Sequence, residues 1–231
     1  MRLDLHSQPL IYLVTSGKTT ARTTPAADEF LGVLQLVQAA VGAQIDLVQI
    51  REKNLTASVL YQLALSAARI TKGTATKLLI NDRSDIAAAA GADGVHLTTS
   101  SLPTAVVRQA FGDDFLIGVS THSLEEANIA WEGGADFAVF GAVFETTSKK
   151  ASAEPPGLTG LTRVCSALSP FPVLALGGVS IDNVAECIRA GARGVAAIRM
   201  LQEPAQLIDV AEEIRRRFAR KSLRDDPSMG T

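Results

Sequence analysis

Short aliphatic runs alternate with longer amphipathic segments along almost the whole chain. Eight runs have the length and the Val, Ile and Leu content of buried strands, at 9–15, 45–51, 77–82, 94–97, 115–121, 137–143, 171–178 and 194–200. Helical patterns follow most of them, at 27–41, 56–72, 84–90, 103–111, 123–133, 157–168, 181–190 and 204–220. This alternation predicts parallel strands joined by right-handed crossovers.

Eight such units predict a single-domain (β/α)₈ TIM barrel over residues 9–221, with a doubly wound open sheet as the alternative. Residues 1–8 are predicted to be an N-terminal extension, and residues 222–231 a disordered C-terminal tail. Two helix starts carry capping signals: Ser123 with Glu126 forms a capping box, and Ser180 is a candidate N-cap.

A weak internal repeat supports the barrel. Each copy ends a helical segment in Gly-Ala and then passes through a polar residue into an aliphatic run, beginning at Gly42, Gly91, Gly134 and Gly191. Glycine tolerates the left-handed conformation that often ends a helix. Each copy therefore predicts the same helix-to-strand junction.

Composition narrows the function classes. Hydrophobic residues make up 47% of the chain and aromatic residues 5%, which suits an aliphatic sheet buried on both faces. A net charge of −2 gives no electrostatic reason to expect nucleic acid or an anionic membrane as partner. With no long apolar run and only two cysteines, the sequence predicts a cytoplasmic enzyme, for which self-association is possible.

Barrel enzymes place their chemistry where the strands end, so the residues at those positions are the candidates. Gly177 and Gly178 end the seventh predicted strand, and Ile198 and Arg199 end the eighth. Loops after these two strands commonly bind phosphate, and glycine lets the backbone N–H groups approach an anion. The alternative for the glycine pair is a tight turn without a ligand.

Charged residues follow the second and third strands. Arg51 is suited to a bidentate phosphate contact, unless Glu52 or Asp82 neutralises it. Asp82 could hold a hydrated Mg²⁺ or cap the following helix. His96 and His122 favour structural roles, in a strand and beside a helix start respectively.

At these residues the chain resembles the thiamine phosphate synthase and thiazole tautomerase (TenI-type) superfamily. The matching motifs are Gln49-Ile50-Arg51-Glu52-Lys53, Ile80-Asn81-Asp82-Arg83, Gly91 to Leu97, Gly118 to Ala127, Gly134-Ala135-Asp136 and Ala175 to Val179. The resemblance implies a barrel that acts on phosphorylated small molecules in thiamine biosynthesis. A synthase of this family joins hydroxymethylpyrimidine diphosphate to thiazole phosphate and releases pyrophosphate.

The resemblance also implies site residues. Arg51, Ser120 and Lys149 would be catalytic, and Asp82 would hold Mg²⁺. The substrate- and phosphate-binding set would be Gln49, Lys53, Asn81, Thr146, Ser148, Gly177, Gly178, Ile198 and Arg199. Arg199 itself departs from the family, which commonly has a small serine there, and it either adds charge to the site or obstructs it.

Two departures keep the reaction open. Ser101 stands where synthases carry a second metal-binding aspartate, and Ala142 stands where tautomerases carry their histidine. The first hypothesis is a synthase-like transferase, the second a tautomerase-like isomerase, and the third a binder of thiazole phosphate without catalysis. Whether Glu145 or His122 has taken over a catalytic task also stays open.

Overall fold

The structure, a computed structural model, describes residues 9–145 and 156–222. Eight parallel strands close into a barrel in which each pairs with its neighbours in chain order and the eighth pairs with the first. They are β1 (Leu10–Val14), β2 (Leu47–Ile50), β3 (Lys77–Asn81), β4 (Gly94–Leu97), β5 (Leu116–Thr121), β6 (Phe137–Gly141), β7 (Val173–Leu176) and β8 (Gly194–Ala197). The predicted single-domain TIM barrel is confirmed, and the open sheet is excluded.

Helices alternate with the strands around the outside. They are α1 (Asp28–Gly42), α2 (Ala57–Thr71), α3 (Ser84–Ala90), α4 (Thr104–Phe111), α5 (Leu124–Glu132), α6 (Gly157–Ala167), α7 (Val184–Arg189) and α8 (Leu207–Ser222). Two 3₁₀ helices, Arg199–Leu201 and Pro204–Gln206, lie between β8 and α8. None of the helices in the described ranges is both long and apolar enough to cross a bilayer.

The two predicted capping signals have different outcomes. The Ser123 hydroxyl accepts the N–H of Glu126 (3.1 Å) and starts α5, as predicted. The Glu126 carboxylate reaches back to the N–H of His122 (2.6 Å), one residue before the cap. Ser180 does not cap α7, which begins at Val184. Instead its N–H donates to Oδ1 of Asn183 (2.8 Å), which folds residues 180–183 into a turn.

Strand residues point alternately into the barrel and out toward the helices, and both sets are buried. On β1, Leu10 and Tyr12 join the interior cluster, whereas Ile11 and Leu13 pack beneath the helices. The interior cluster is small and aliphatic apart from its rings: Leu10, Tyr12, Leu47, Leu79, Phe137, Val139, Leu174 and Ala196. The barrel interior is therefore a packed core, and a ligand of this fold binds at an end of the barrel.

The repeated Gly-Ala junction is confirmed at three of its four copies. Gly91, Gly134 and Gly191 have φ values of 72°, 86° and 94°, in the left-handed region. In the first copy Gly42 is the last residue of α1, and the left-handed residue is Gln44 (φ 54°). The chain turns out of the helix two residues later there than the pattern predicts.

An aspartate next to the start of an even-numbered strand completes three of these junctions. Asp46, Asp93 and Asp136 precede β2, β4 and β6. One carboxylate oxygen of each accepts a backbone N–H of the preceding strand, from Ile11 (2.9 Å), Leu78 (2.9 Å) and Ile117 (2.7 Å). These N–H groups lie at the amino-terminal end of the barrel, so the carboxylates stabilise the sheet there.

Several predictions concern residues outside the described ranges. The extension at 1–8 and the tail at 222–231, apart from Ser222 at the end of α8, belong to this group. Thr146, Ser148 and Lys149 belong to it as well.

Candidate active site

A cavity of about 690 Å³ opens at the carboxyl ends of the strands, where the barrel fold places catalytic sites. All eight strands or the loops after them contribute to its lining. The predicted site residues that line it are Gln49, Arg51, Lys53, Asn81, Ser120, Gly177, Gly178, Ile198 and Arg199. The structure thus brings together the predicted residues that it describes, with Asp82 as the exception.

The charges on the cavity wall are all of one sign. Arg51, Lys53 and Arg199 line it, and none of its lining residues within the described ranges is an aspartate or a glutamate. Cationic side chains around a cavity without carboxylates attract and hold anions. The site is therefore built for a ligand with negative charge.

Arg51 is not neutralised by its neighbour Glu52. The Glu52 carboxylate is buried and accepts four hydrogen bonds from the loop after β1: from the Thr15 hydroxyl (2.7 Å), the Gly17 N–H (3.1 Å), the Thr19 N–H (3.2 Å) and the Thr19 hydroxyl (2.6 Å). In the part of the chain that the structure describes, no carboxylate lies within ion-pair distance of the Arg51 guanidinium. Its charge is left for a ligand.

Gln49 precedes Arg51 by two residues and points into the same cavity. Its side chain is 2% exposed, and Nε2 has no hydrogen-bond partner among the described residues. The Thr121 hydroxyl is in the same condition, with 1% exposure. Buried polar atoms without partners are costly in a protein interior, so both mark places where a ligand or water completes the bonding.

A row of three polar side chains runs from the barrel interior to the cavity. The Tyr12 hydroxyl lies 3.2 Å from Nδ1 of His96, and Nε2 of His96 lies 2.8 Å from Oγ of Ser120. Burial, reinforced by the charge of Arg51, lowers the pKa of His96 from 6.5 to about 3. The imidazole is therefore neutral at physiological pH. The predicted structural role of His96 accounts for its burial, but it did not include the hydrogen bond to Ser120 at the cavity.

The glycine pair after β7 forms a tight loop that also lines the cavity. Gly177 and Gly178 have φ values of 94° and 64°, and a Cβ atom on Gly178 would come within 2.6 Å of both Phe144 and Glu145. Asn183 closes the loop by donating from Nδ2 to the Gly178 carbonyl (2.9 Å). Within the described ranges neither glycine N–H donates to a protein acceptor, so both are available to an anion.

Asp82 takes a different position from the other predicted residues. It follows Asn81 at the end of β3, is exposed and has φ 62°. It is not among the cavity-lining residues that the structure describes. Its N–H donates to the His96 carbonyl (2.9 Å), which ties the end of β3 to β4.

The loop after β4 supplies hydroxyl groups to the cavity, through Thr98, Thr99 and Ser100. Ser101 turns back onto its own loop, where Oγ accepts the N–H of Thr98 (2.8 Å). The Thr98 hydroxyl lies 3.1 Å from both Ser100 Oγ and Ser101 Oγ. This wall is polar and uncharged.

Several lining residues were not predicted as part of the site. Ser16, Thr98, Thr99 and Ser100 follow β1 and β4, so the rule that selected the other strand ends would have found them. His122 also lines the cavity; its Nδ1 lies 3.1 Å from the Glu126 carboxylate. Tyr12 carries no sequence signal, because an aromatic residue inside a strand is normally a packing residue.

Comparisons with known proteins agree on one family. Residues 11–201 match the family model described as thiamine monophosphate synthase. The thiamine-phosphate synthase of Ruminiclostridium cellulolyticum is 35% identical over 92% of this chain and 96% of its own length. That of Haloquadratum walsbyi is 40% identical over 84% of this chain and 85% of its own length. The structure of a thiamine phosphate pyrophosphorylase from Pyrococcus furiosus superposes with a TM-score of 0.71, at 28% identity, covering 89% of this chain and 96% of that one.

Proposed function

Because the chain belongs to the thiamine monophosphate synthase family, we propose that it is a transferase of thiamine biosynthesis that joins hydroxymethylpyrimidine diphosphate to a thiazole phosphate. The bond between the pyrimidine portion and its diphosphate breaks, the diphosphate leaves with the electron pair, and a new bond forms to the thiazole. The observation that carries this proposal is that Arg51, Lys53 and Arg199 line a cavity without a described carboxylate. The cationic side chains of Arg51 and Lys53 would stabilise the charge that develops on a departing diphosphate.

We assign the diphosphate to the side of the cavity formed by β2, β3 and β5. Arg51 is positioned there by its N–H, which donates to the Thr15 hydroxyl (2.8 Å), and its guanidinium is unpaired among described residues. Lys53, Asn81 and Ser120 line the same cavity. The resemblance adds Thr146, Ser148 and Lys149 to this set, with Lys149 beside Arg51 and Ser120 as a catalytic residue.

We assign the thiazole phosphate to the part of the cavity formed by the loops after β7 and β8, at the glycine pair. The free N–H groups of Gly177 and Gly178 support this assignment, and so does Arg199 at the end of β8. Ile198 supplies an apolar surface next to them. Two anions bound at these two places would bring the reacting groups together within the same cavity of about 690 Å³.

Magnesium is a prediction from the family resemblance, with Asp82 as its ligand. The described donor set does not fit the ion: the lining oxygens belong to amides and hydroxyls, and Asp82 lies outside the lining. Magnesium in proteins normally binds at least one carboxylate along with substrate phosphates. No step of the mechanism is therefore assigned to a metal. Comparing pyrophosphate affinity with and without Mg²⁺, in the native chain and in Asp82→Asn, tests the prediction.

One experiment separates the three hypotheses. The purified protein is incubated with each substrate alone and with both, with and without Mg²⁺, while pyrophosphate release and thiazole turnover are followed. Pyrophosphate release that requires both substrates supports the synthase. Turnover of a thiazole carboxylate phosphate alone would assign the chain to the tautomerase-like isomerases, and binding of thiazole phosphate without turnover to the non-catalytic binders.

Lys149 offers a sharper test of the diphosphate assignment. Lys149→Ala should weaken binding of a diphosphate more than that of a monophosphate, because a second phosphoryl group carries the charge that the lysine would contact. Lys150→Ala is the matched control on the next residue. Equal losses for both ligands in Lys149→Ala would contradict the assignment.

The proposal also includes the cellular compartment and self-association. Two free cysteines, Cys165 and Cys187, support a reducing compartment such as the cytoplasm. Self-association stays a prediction, for which sedimentation velocity is the test.

A further inference from the structure

We propose that Tyr12 and His96 are positioning residues that fix the Ser120 hydroxyl as a hydrogen-bond donor to the cavity. The row of bonds Tyr12–His96–Ser120 then has one direction, with each hydroxyl or N–H donating toward the ligand. Ser120 would accordingly contact an acceptor, such as a phosphoryl oxygen, and would not contact an amino group. The identity of that ligand as a diphosphate rests on the proposed function.

The side chain of Tyr12 is fully buried in the barrel interior. Its ring packs edge-on against Phe137 (5.7 Å between centroids) and at 57° to the His96 ring (5.6 Å). Burial raises the pKa of Tyr12 well above its usual 10, so the hydroxyl keeps its proton. That proton needs an acceptor, and Nδ1 of His96 (3.2 Å) is the partner that the described residues provide.

The tautomer of His96 follows from this bond. A neutral imidazole carries one proton, and if Nδ1 accepts from Tyr12 the proton must be on Nε2. Nε2–H then donates to Oγ of Ser120 (2.8 Å). The opposite tautomer would direct Nδ1–H at the Tyr12 oxygen and leave the tyrosine proton without an acceptor in an apolar interior.

Ser120 is the last donor in the row and the one that would contact the ligand. Because its Oγ already accepts from His96, its own proton is free, and Ser120 lines the same cavity as Arg51. A hydroxyl that accepts one hydrogen bond donates a stronger second one. Gly118 makes room for this arrangement, since a Cβ atom there would lie 2.9 Å from Nδ1 of His96 and also overlap the Phe137 ring.

The first test determines the His96 tautomer by NMR of protein labelled with ¹⁵N-histidine, without substrate. The chain has three histidines, and the signals that are missing from His96→Gln belong to His96. We expect the Nε2–H tautomer, unchanged from pH 5 to pH 9. A proton on Nδ1 overturns the proposal, whatever the enzyme's activity.

The second test measures the affinity for inorganic pyrophosphate by calorimetry. Tyr12→Phe should weaken it roughly 3- to 10-fold, the effect of one hydrogen bond, and Tyr61→Phe, the same change on the exposed face of α2, should leave it unchanged. In the Ser120→Ala background, Tyr12→Phe should have no further effect. Independent, multiplying losses would show that Tyr12 acts through packing and would overturn the proposal.

The two tests separate this inference from the proposed function. A chain that has the Nε2–H tautomer but neither binds pyrophosphate nor releases it would contradict the proposed function and leave the direction of the row intact. A chain that releases pyrophosphate normally while His96 carries its proton on Nδ1 would do the reverse.

Discussion

The two ends of the barrel use charge in opposite ways. At the amino-terminal end, Asp46, Asp93 and Asp136 accept strand N–H groups, and the last two also pair with Lys77 and Arg108, each at 2.8 Å. At the carboxyl end, Arg51 and Lys53 have no carboxylate within 4 Å among the described residues. The aspartates at the amino-terminal end complete the sheet, whereas Arg51 and Lys53 at the carboxyl end are available to a ligand. Substitutions of the aspartates and their partners should therefore lower stability, and substitutions of these two cations should lower ligand affinity or activity.

Gly178→Asp should have the largest effect, because it puts a carboxylate against the proposed phosphate and forces a side chain into occupied space. We expect affinity for thiazole phosphate to fall by at least about 100-fold. Gly112→Asp is the matched control at the other end: it also has a positive φ (76°), and its surroundings are open. Unchanged affinity of Gly178→Asp for thiazole phosphate, measured by calorimetry, would show that the glycine pair does not bind the phosphate.

Arg51→Ala should lower kcat/KM roughly 100-fold, the loss typical of one group that stabilises charge in a transition state. The thermal midpoint should move little, because the guanidinium has no described ion pair to lose. Steady-state pyrophosphate release and a melting curve on the same sample measure both. A large drop in the thermal midpoint with kcat/KM retained would show that Arg51 stabilises the fold and does not act on the substrate.

Arg108→Ala should show the reverse behaviour. Its guanidinium donates to the carbonyls of Gly112 (2.7 Å), Phe115 (2.8 Å) and Gly134 (2.8 and 3.0 Å), and to the carboxylate of Asp136 (2.8 Å). We expect the free energy of unfolding to fall by about 1–3 kcal/mol, with kcat/KM per folded molecule unchanged. Arg83→Ala is the control: its partner Asp85 is mostly exposed, so about 0.5 kcal/mol or less should be lost.

The last prediction concerns the pH dependence of the free energy of unfolding, which the buried His96 should set at low pH. An unfolded chain protonates His96 below about its ordinary pKa of 6.5, whereas the folded chain does so only near 3. Since the unfolded state then binds the extra proton, the free energy of unfolding should fall as pH drops through this window, by about 1.4 kcal/mol per pH unit. The free energy of unfolding, measured by urea titration at each pH, should fall more steeply for the native chain than for His96→Gln below pH 6, by that slope. Above pH 7 the two curves of free energy against pH should be parallel. Equal slopes throughout would contradict the low pKa.

The sequence predicted the barrel well because each β/α unit repeats the same local pattern. Every strand that the structure shows lies within its predicted range, since aliphatic runs buried on both faces are unambiguous once eight of them alternate with helices. The predicted start of α7 was wrong. Ser180 was expected to cap the helix, but its N–H donates to the Asn183 side chain in a turn, and α7 begins only at Val184. Such competition between neighbouring side chains is decided by three-dimensional geometry and leaves no trace in the hydrophobic pattern.

The candidate site was predicted only as far as strand ends identify it. Gln49, Arg51 and Lys53 lie at alternate positions and face the cavity, whereas Glu52 between them faces the loop after β1. Side chains of successive residues leave an extended chain on opposite sides, so this much was available from the sequence. Asn81 lines the cavity and Asp82 does not, and here the chain has left the extended conformation, since Asp82 has φ 62°. Contact between Tyr12 and His96, 84 residues apart, required the closed barrel.

The buried carboxylate of Glu52 has a consequence for the entrance to the cavity. By accepting four hydrogen bonds from residues 15–19, it fastens that loop to the end of β2 before any ligand arrives. Conformational freedom in this part of the rim is lost during folding, so a ligand does not have to restrict it again on binding. A substrate therefore meets a wall already in its final shape beside the guanidinium of Arg51.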